Sequence, residues 1–154
     1  MLGFVYPAPL CIHKVVLGIL ETLFSNYSHN MIAHTTLAVS DYKKAKGLYE
    51  RILKTVGYEF TEDHPEWKAG GFKEGGHTSF WIGEKDKVVP GHIAFEAKDK
   101  ASVNAFHKKA LEVGWKDNGA PGYRKEYWPG YYAAFVHDLD GNNVEAVWYD
   151  YDAK

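Results

Sequence analysis

Two histidines and one glutamate stand out as residues that could do chemistry together. They are His34 in Ile32-Ala-His-Thr-Thr-Leu37-Ala-Val39, His92 in His92-Ile-Ala-Phe95-Glu-Ala97, and Glu145 in Asn143-Val-Glu-Ala-Val147-Trp148-Tyr149. All three segments read as extended strands rich in β-branched and aromatic residues. Successive side chains of a strand point to opposite faces, so His34 lies opposite Leu37 and Val39, and His92 opposite Ile93 and Phe95. Glu145 shares a side with Asn143 and Val147, opposite Val144, Ala146 and Trp148. The apolar sides are expected to meet helices, leaving the polar three on the faces turned away. A lone strand histidine is more often a satisfied core residue than a ligand. A buried carboxylate, however, is costly unless paired or metal-bound, and two imidazoles with a carboxylate form a donor set that suits Fe(II) and accommodates Mn(II), Ni(II) or Zn(II).

The elements that must position these residues form an internal repeat. After the first strand, Ser40-Asp41 supplies a helix N-cap, and Tyr42, Ala45, Leu48, Tyr49, Ile52, Leu53 and Val56 recur at helical spacing before the stop at Gly57. After the second, Asp99 is a cap, Val103, Phe106, Ala110 and Leu111 make the stripe, and Gly114-Trp115 closes it. His34 precedes Gly57 by 23 residues and His92 precedes Gly114 by 22, giving a repeat of about 57 residues. Further strands are predicted at Gly57–Phe60, Gly71-Phe72 and Thr78–Ile82 in the first copy, and at Tyr131–His137 and Asn143–Tyr149 in the second. Each copy is thus βαβββ, in modules of about 31–83 and 89–149. Glu62–Gly76 reads as a loop-rich stretch with one short strand, and the Pro/Gly-rich run ahead of Tyr131 as a loop. Asp138-Leu-Asp140-Gly141 reads as a hairpin turn.

Composition narrows the function. With 154 residues, 45% of them apolar, the chain suits one domain with a continuous core. A net charge of −2 gives no drive toward phosphate backbones or anionic lipid, so neither nucleic acid nor a membrane is an expected partner. The 16% of aromatics, eleven of them tyrosines, suit pocket walls and a small-molecule substrate. A single cysteine, Cys11, fits a reducing, cytoplasmic setting. Residues 1–30 stand outside the repeat. Ile12, Val16, Ile19, Leu20 and Leu23 allow an amphipathic helix there, although Gly18 counts against it, and no run is long enough to span a bilayer. Met31 directly precedes the first strand, so a chain starting there is expected to fold. Asn26-Tyr27-Ser28 matches a glycosylation acceptor and is read as a chance match.

The strand histidine before a Ser-Asp-capped helix, the strand Gly91-His-Ile-Ala-Phe95, and Asp138-x-Asp140-Gly-Asn142-x-Val144-Glu145 together resemble the vicinal-oxygen-chelate superfamily, which unites glyoxalases, bleomycin-resistance proteins and dioxygenases. The resemblance spans Met31 to about Tyr149. It implies an α+β fold in which two βαβββ modules form a half-open mixed barrel with flanking helices, one divalent metal ion held by His34, His92 and Glu145, and a homodimer. Asn118-Gly-Ala-Pro-Gly122-x-Arg124-x-x-Tyr127-x-Pro129-Gly-Tyr-Tyr132-Ala-Ala-Phe135 is similar to a glyoxalase-like branch of that superfamily without an assigned substrate. Glyoxalase I enzymes carry a fourth ligand, a glutamate, on the last strand of the first module. Here that strand reads Ser79-Phe-Trp-Ile82, which points away from glyoxalase I activity proper and toward three-ligand members.

The expected function is therefore a metal-dependent enzyme acting on a small molecule through neighbouring oxygens, of lyase, isomerase or transferase type. The alternatives are a metal-free binding or resistance protein of bleomycin-resistance type and an extradiol-type dioxygenase. Arg124 is a candidate for gripping a substrate carboxylate or phosphate, and Tyr127, Tyr132 and Trp81 are candidate pocket walls. His64, His77, His107 and His137 have no repeat-equivalent partner and are expected at the surface. Gly71-x-x-x-x-Gly76-His-Thr78 lacks the lysine and the strand-to-helix setting of a phosphate loop. No Gly-x-Ser-x-Gly elbow and no cysteine–histidine pair supports a covalent nucleophile.

Overall fold

The computed structural model describes residues 32–152, so the features read in the N-terminal thirty residues and at Met31 lie outside the described residues. In chain order the elements are β1 (Thr35–Val39), α1 (Tyr42–Leu53) with a 3-10 turn at Lys54–Val56, β2 (Glu59–His64), a 3-10 turn at Pro65–Trp67, β3 (Ala69–Glu74) and β4 (His77–Glu84). The second copy comprises β5 (His92–Glu96), α2 (Lys100–Glu112), β6 (Lys116–Tyr123), β7 (Tyr131–His137) and β8 (Asn143–Tyr149). Each βαβββ module forms its own four-stranded mixed sheet, in the orders β1-β4-β3-β2 and β5-β8-β7-β6. The fold is α+β with two open sheets and no closed barrel among the described residues.

Local chemistry explains the elements. Asp41 caps α1 by accepting from the Lys44 amide, and Asp99 caps α2 by accepting from the Ser102 amide, each satisfying an orphan N–H of the first turn. Tyr42, Ala45, Tyr49, Ile52 and Leu53 are the buried stripe of α1, and Val103, Phe106 and Ala110 lie on that of α2. Both stripes enter one core shared by the two modules. Tyr49 packs edge-on against Trp115 with ring centroids 4.8 Å apart, and Phe80 against Phe95 at 5.0 Å. Among the described residues no helix is long and apolar enough to cross a membrane.

Three local readings change. The first strand begins at Thr35, where pairing with Phe80 starts, so His34 lies in the exposed segment just before it. The stretch Glu62–Gly76 holds more strand than the one short piece expected, because β2 and β3 pair antiparallel with a register shift between Phe60 and Glu62 and with Gly70 and Gly71 inside the ladder. Asn118–Gly122 is likewise a strand. Its ladder with β7 jumps at Asp117/Gly119 and again at Gly119/Gly122, leaving Pro121 in the gap where no amide donor is needed.

The turn after β7 does more than reverse the chain. Asp138 accepts from the Tyr49 hydroxyl at 2.7 Å, from the Asn142 side chain at 2.8 Å, and from the amides of Asp140 and Asn142. Asn142 in turn donates to the Ala38 carbonyl at the end of β1 and accepts from the Gly91 amide just ahead of β5. Asp140 accepts from the Ser40 amide. One fully bonded polar cluster therefore ties β1, α1, β5 and β8 together, and burial without partners would make the same groups costly.

Candidate metal centre

Strand pairing builds the site on the face of the second sheet that turns away from α2. β5 runs parallel to β8 with His92 opposite Asn143 and Ala94 opposite Glu145, so His92 and Glu145 are diagonal neighbours on one face. The opposite faces of these strands carry Phe95, Val144 and Ala146 into the core. His92 is exposed, whereas Glu145 is only 2% exposed. The His92 Nε2 lies 3.3 Å from Glu145 Oε2, and His92 Nδ1 lies 3.1 Å from the Asn143 carbonyl oxygen. On the other side the Tyr131 hydroxyl donates to Glu145 Oε1 at 2.5 Å.

This arrangement is electrostatically unusual. Burial pushes the Glu145 carboxyl up from its ordinary range, while the hydrogen bond from Tyr131 and the charges of His92 and Arg124 pull it back down. Burial and the same Glu145 contact push the Tyr131 phenol up, so it stays a hydrogen-bond donor. Both His92 nitrogens face oxygens. With Nδ1–H donating to the Asn143 carbonyl, the Nε2 lone pair is directed at a carboxylate oxygen, and the space between them calls for a positive charge, a proton or a metal ion. Two ligands each about 2.1 Å from one ion at roughly 90–110° stand about 3.0–3.4 Å apart. The observed 3.3 Å fits that span. A carbonyl holding the far nitrogen of a ligand histidine is the usual outer-shell arrangement.

His34 does not join this pair within the chain. It is exposed ahead of β1 on the other sheet, and among the described residues no group of three histidine, cysteine, aspartate or glutamate side chains could hold a metal ion. Arg124 and Tyr127 border the second sheet's open face. The guanidinium lies over the Phe135 ring, 5.4 Å from its centroid, and Tyr127 meets Tyr131 edge-on at 5.4 Å. Tyr132, expected on the pocket wall, points to the other side of the sheet, where it donates to Asn104 on α2 at 2.9 Å. Trp81 belongs to the first sheet's open face, stacked on His64 with ring centroids 5.9 Å apart.

The residue that sequence reasoning missed is Tyr131. Alternation along β7 separates it from Tyr132 once the core side is known: Ala134 and Val136 enter the core, so Tyr131, Ala133 and Phe135 share the face of Glu145, and Tyr132 cannot. His107 also departs from expectation. It is nearly buried on α2 and bonded through Nε2 to Asp117 at 2.8 Å, because that helix face is roofed by β6.

A family model described as the Glyoxalase/Bleomycin resistance protein/Dioxygenase superfamily matches residues 31–146. The chain belongs to this superfamily. Its fold is similar to that of a glyoxalase/bleomycin resistance protein from Albidiferax ferrireducens T118, with 22% identity, 77% of this chain and 99% of the other covered, and a TM-score of 0.67. A lactoylglutathione lyase from Agrobacterium tumefaciens is similar at 20% identity over 79% and 96% of the two chains, with a TM-score of 0.60. A genomically encoded fosfomycin resistance protein from Listeria monocytogenes is similar at 20% identity over 77% and 93%, with a TM-score of 0.59. No curated protein sequence matches the chain. At these identities the structural likeness establishes the fold, and the chemistry has to be argued from the site.

Proposed function

We propose that the chain is a divalent-metal-dependent enzyme acting on a small molecule, with His92 and Glu145 as two donors and His34 of a second copy as the third. The observation that carries this reading is the buried Glu145 carboxylate beside His92 Nε2, separated by a distance that suits two ligands of one ion. The donor types are hard oxygen and borderline nitrogen, which suits Fe, Mn, Ni or Zn. The placement of the two open faces supports a homodimer. Both modules bury their helices in one core, so the faces bearing His34 and the His92–Glu145 pair both turn outward, and a symmetric pair of chains can bring one chain's first sheet to the other's second. An ion held by these residues would supply Lewis-acid polarisation of substrate oxygens and stabilise negative charge that develops on them. Tyr131 would hold Glu145 Oε1 and leave Oε2 free toward the ion. Tyr127 and Tyr149 would line the approach. The single cysteine and near-neutral charge favour a cytoplasmic setting and a small-molecule substrate.

Mixed dimers test this directly. His34→Ala and Glu145→Ala proteins, each alone, should purify without metal. Unfolded together and refolded at equal amounts, they should recover about one quarter of the wild-type metal content, because half the dimers are mixed and each holds one intact site. Recovery of nothing, with dimers formed, would sink the shared site. Undiminished metal in Glu145→Ala alone would sink the metal reading, leaving the metal-free binding protein as the better description.

A further inference from the structure

Arg124 is held in a way that an ordinary surface arginine is not. Its amide donates to the Tyr131 carbonyl at 2.7 Å, and its own carbonyl accepts from the amides of Tyr127 and Trp128, so the backbone is pinned at the end of the β6–β7 hairpin. The side chain folds back along β6. One Nη2–H donates to the Ala120 carbonyl at 2.7 Å, and the guanidinium lies on the Phe135 ring. Two glycines make the slot. A Cβ on Gly122 would stand 3.0 Å from Arg124 Nη1, and one on Gly119 would stand 3.3 Å from Nη2 and 3.0 Å from Phe135 Cδ2. Gly119 has φ +151°, in the region L side chains avoid, and its amide is held by Asp117, which also bonds His107. The double bulge of β6 thus shapes a cradle for one guanidinium.

Among the described residues that guanidinium is also without an ion-pair partner, and only one of its five N–H groups is used by a protein oxygen. Phe135, which it covers, stands directly opposite Glu145 across the β7–β8 ladder. The cradle therefore lies on the strand next to that of Glu145 and over a side chain on the same sheet face, and the arginine's charge is felt by Glu145.

We infer that Arg124 is a preformed oxyanion grip and that the substrate is an acid. Its carboxylate or phosphate-type group lies on the Arg124 fork, and its reacting oxygens reach toward His92 and Glu145. A rigid planar fork that already stacks on an aromatic ring loses little freedom on binding such a group. The inference takes the location of the reacting oxygens from the proposed metal centre, but the grip itself needs no metal.

The test therefore uses metal-free full-length protein, titrated with benzoate, inorganic phosphate and neutral benzamide and followed by NMR. Benzoate or phosphate should bind and benzamide should not, and which anion binds more tightly identifies the acid class. Arg124→Gln should weaken the preferred anion at least about tenfold, and Arg124→Lys should restore it only in part. Gly122→Ala is the sharper variant. It keeps every charge and crowds only the guanidinium, which must shift by a few tenths of an ångström, so it should weaken the anion measurably but less than Arg124→Gln does, while circular dichroism stays unchanged. The proposal is overturned if the wild type binds neither anion, or if Gly122→Ala and Arg124→Gln bind as the wild type does. Metal content measured separately on the same protein distinguishes the two readings. Metal without anion binding removes the grip alone, and anion binding without metal removes the metal centre alone.

Discussion

The two modules share one plan and use it differently. In the second, Ala94 on β5 faces Glu145 on β8; at the matching place in the first, Thr36 on β1 faces Trp81 on β4. A carboxylate in one copy thus stands where an indole stands in the other. The second sheet's open face carries His92, Glu145, Tyr131 and Arg124, a set of charged and hydrogen-bonding groups. The first carries His34 at its margin and a stack of Trp67, His64 and Trp81, with Trp67 71% exposed. Both helix faces remain apolar. Duplication has kept the surface that makes a core and let the opposite surface diverge, as expected when one face of each sheet answers to packing and the other to ligands.

The largest effect should come from exchanging roles at the paired positions. Glu145→Ala and His92→Ala should each lower metal affinity by more than about a hundredfold, since removing a ligand exceeds the loss from removing an outer-shell partner. Trp81→Ala, at the position equivalent to Glu145, should leave metal content unchanged and affect only what the first sheet's aromatic face contacts. Metal content by elemental analysis after dialysis reads both. Equal loss in Trp81→Ala would show that the two faces are not functionally distinct.

Much of this division was legible in the sequence, and the limits have physical causes. Alternation along β5 and β8 separated His92 and Glu145 from Phe95, Val144 and Ala146, because each strand has one buried face. The same rule applied to β7 selects Tyr131 over Tyr132, but with apolar residues on both faces of Tyr131–Val136 the pattern does not announce which side is the core. Strand propensity runs back to Ile32 and so takes in His34, but pairing starts only at Thr35, and Ile32 is 73% exposed. The β6 strand was hidden by its glycines and proline, which serve the bulges. Nothing in the spacing revealed that Asp138 and Asn142 bond across the module boundary, since contacts between residues about a hundred positions apart leave no local signature.

That boundary supplies the second comparison. The β7–β8 turn ties both modules together through Asn142, which is fully buried and bonds Ala38, Gly91 and Asp138. The equivalent β3–β4 turn at Gly75-Gly76 has nothing against it: a Cβ at Gly76 would meet no atom within 4 Å. Asn142→Ala leaves several buried groups without partners and should cost about 3 kcal/mol or more. Gly76→Ala should stay within about 0.5 kcal/mol of the wild type. Urea unfolding of the two variants checks the contrast. If Asn142→Ala also splits the transition into two phases, the polar cluster is what makes the modules unfold as one unit.

The smallest effect concerns the support beneath Arg124. Asp117 accepts from His107 on α2 and from the Gly119 amide, and the hydrogen bond from His107, followed by that from Gly119, holds its carboxyl below the ordinary range. A carboxylate with a depressed folded pKa binds fewer protons in the folded state than in the unfolded one as pH falls through the ordinary carboxylate range. Its contribution is therefore complete above that range and is lost as pH falls through the depressed folded value. Asp117→Asn should be less stable than the wild type at neutral pH, and the gap should close in acid. Because Asp117 is solvent-exposed, the gap should be small. The first module offers a control in Asp63, another exposed carboxylate held low, here by Lys46 and then by the Tyr42 hydroxyl. Asp63→Asn should show the same closing gap without any change in anion binding, whereas Asp117→Asn should loosen the β6 bulge and weaken the oxyanion grip as well. Identical anion affinity in the two variants would mean that the His107–Asp117–Gly119 chain stabilises the strand but does not aim the arginine.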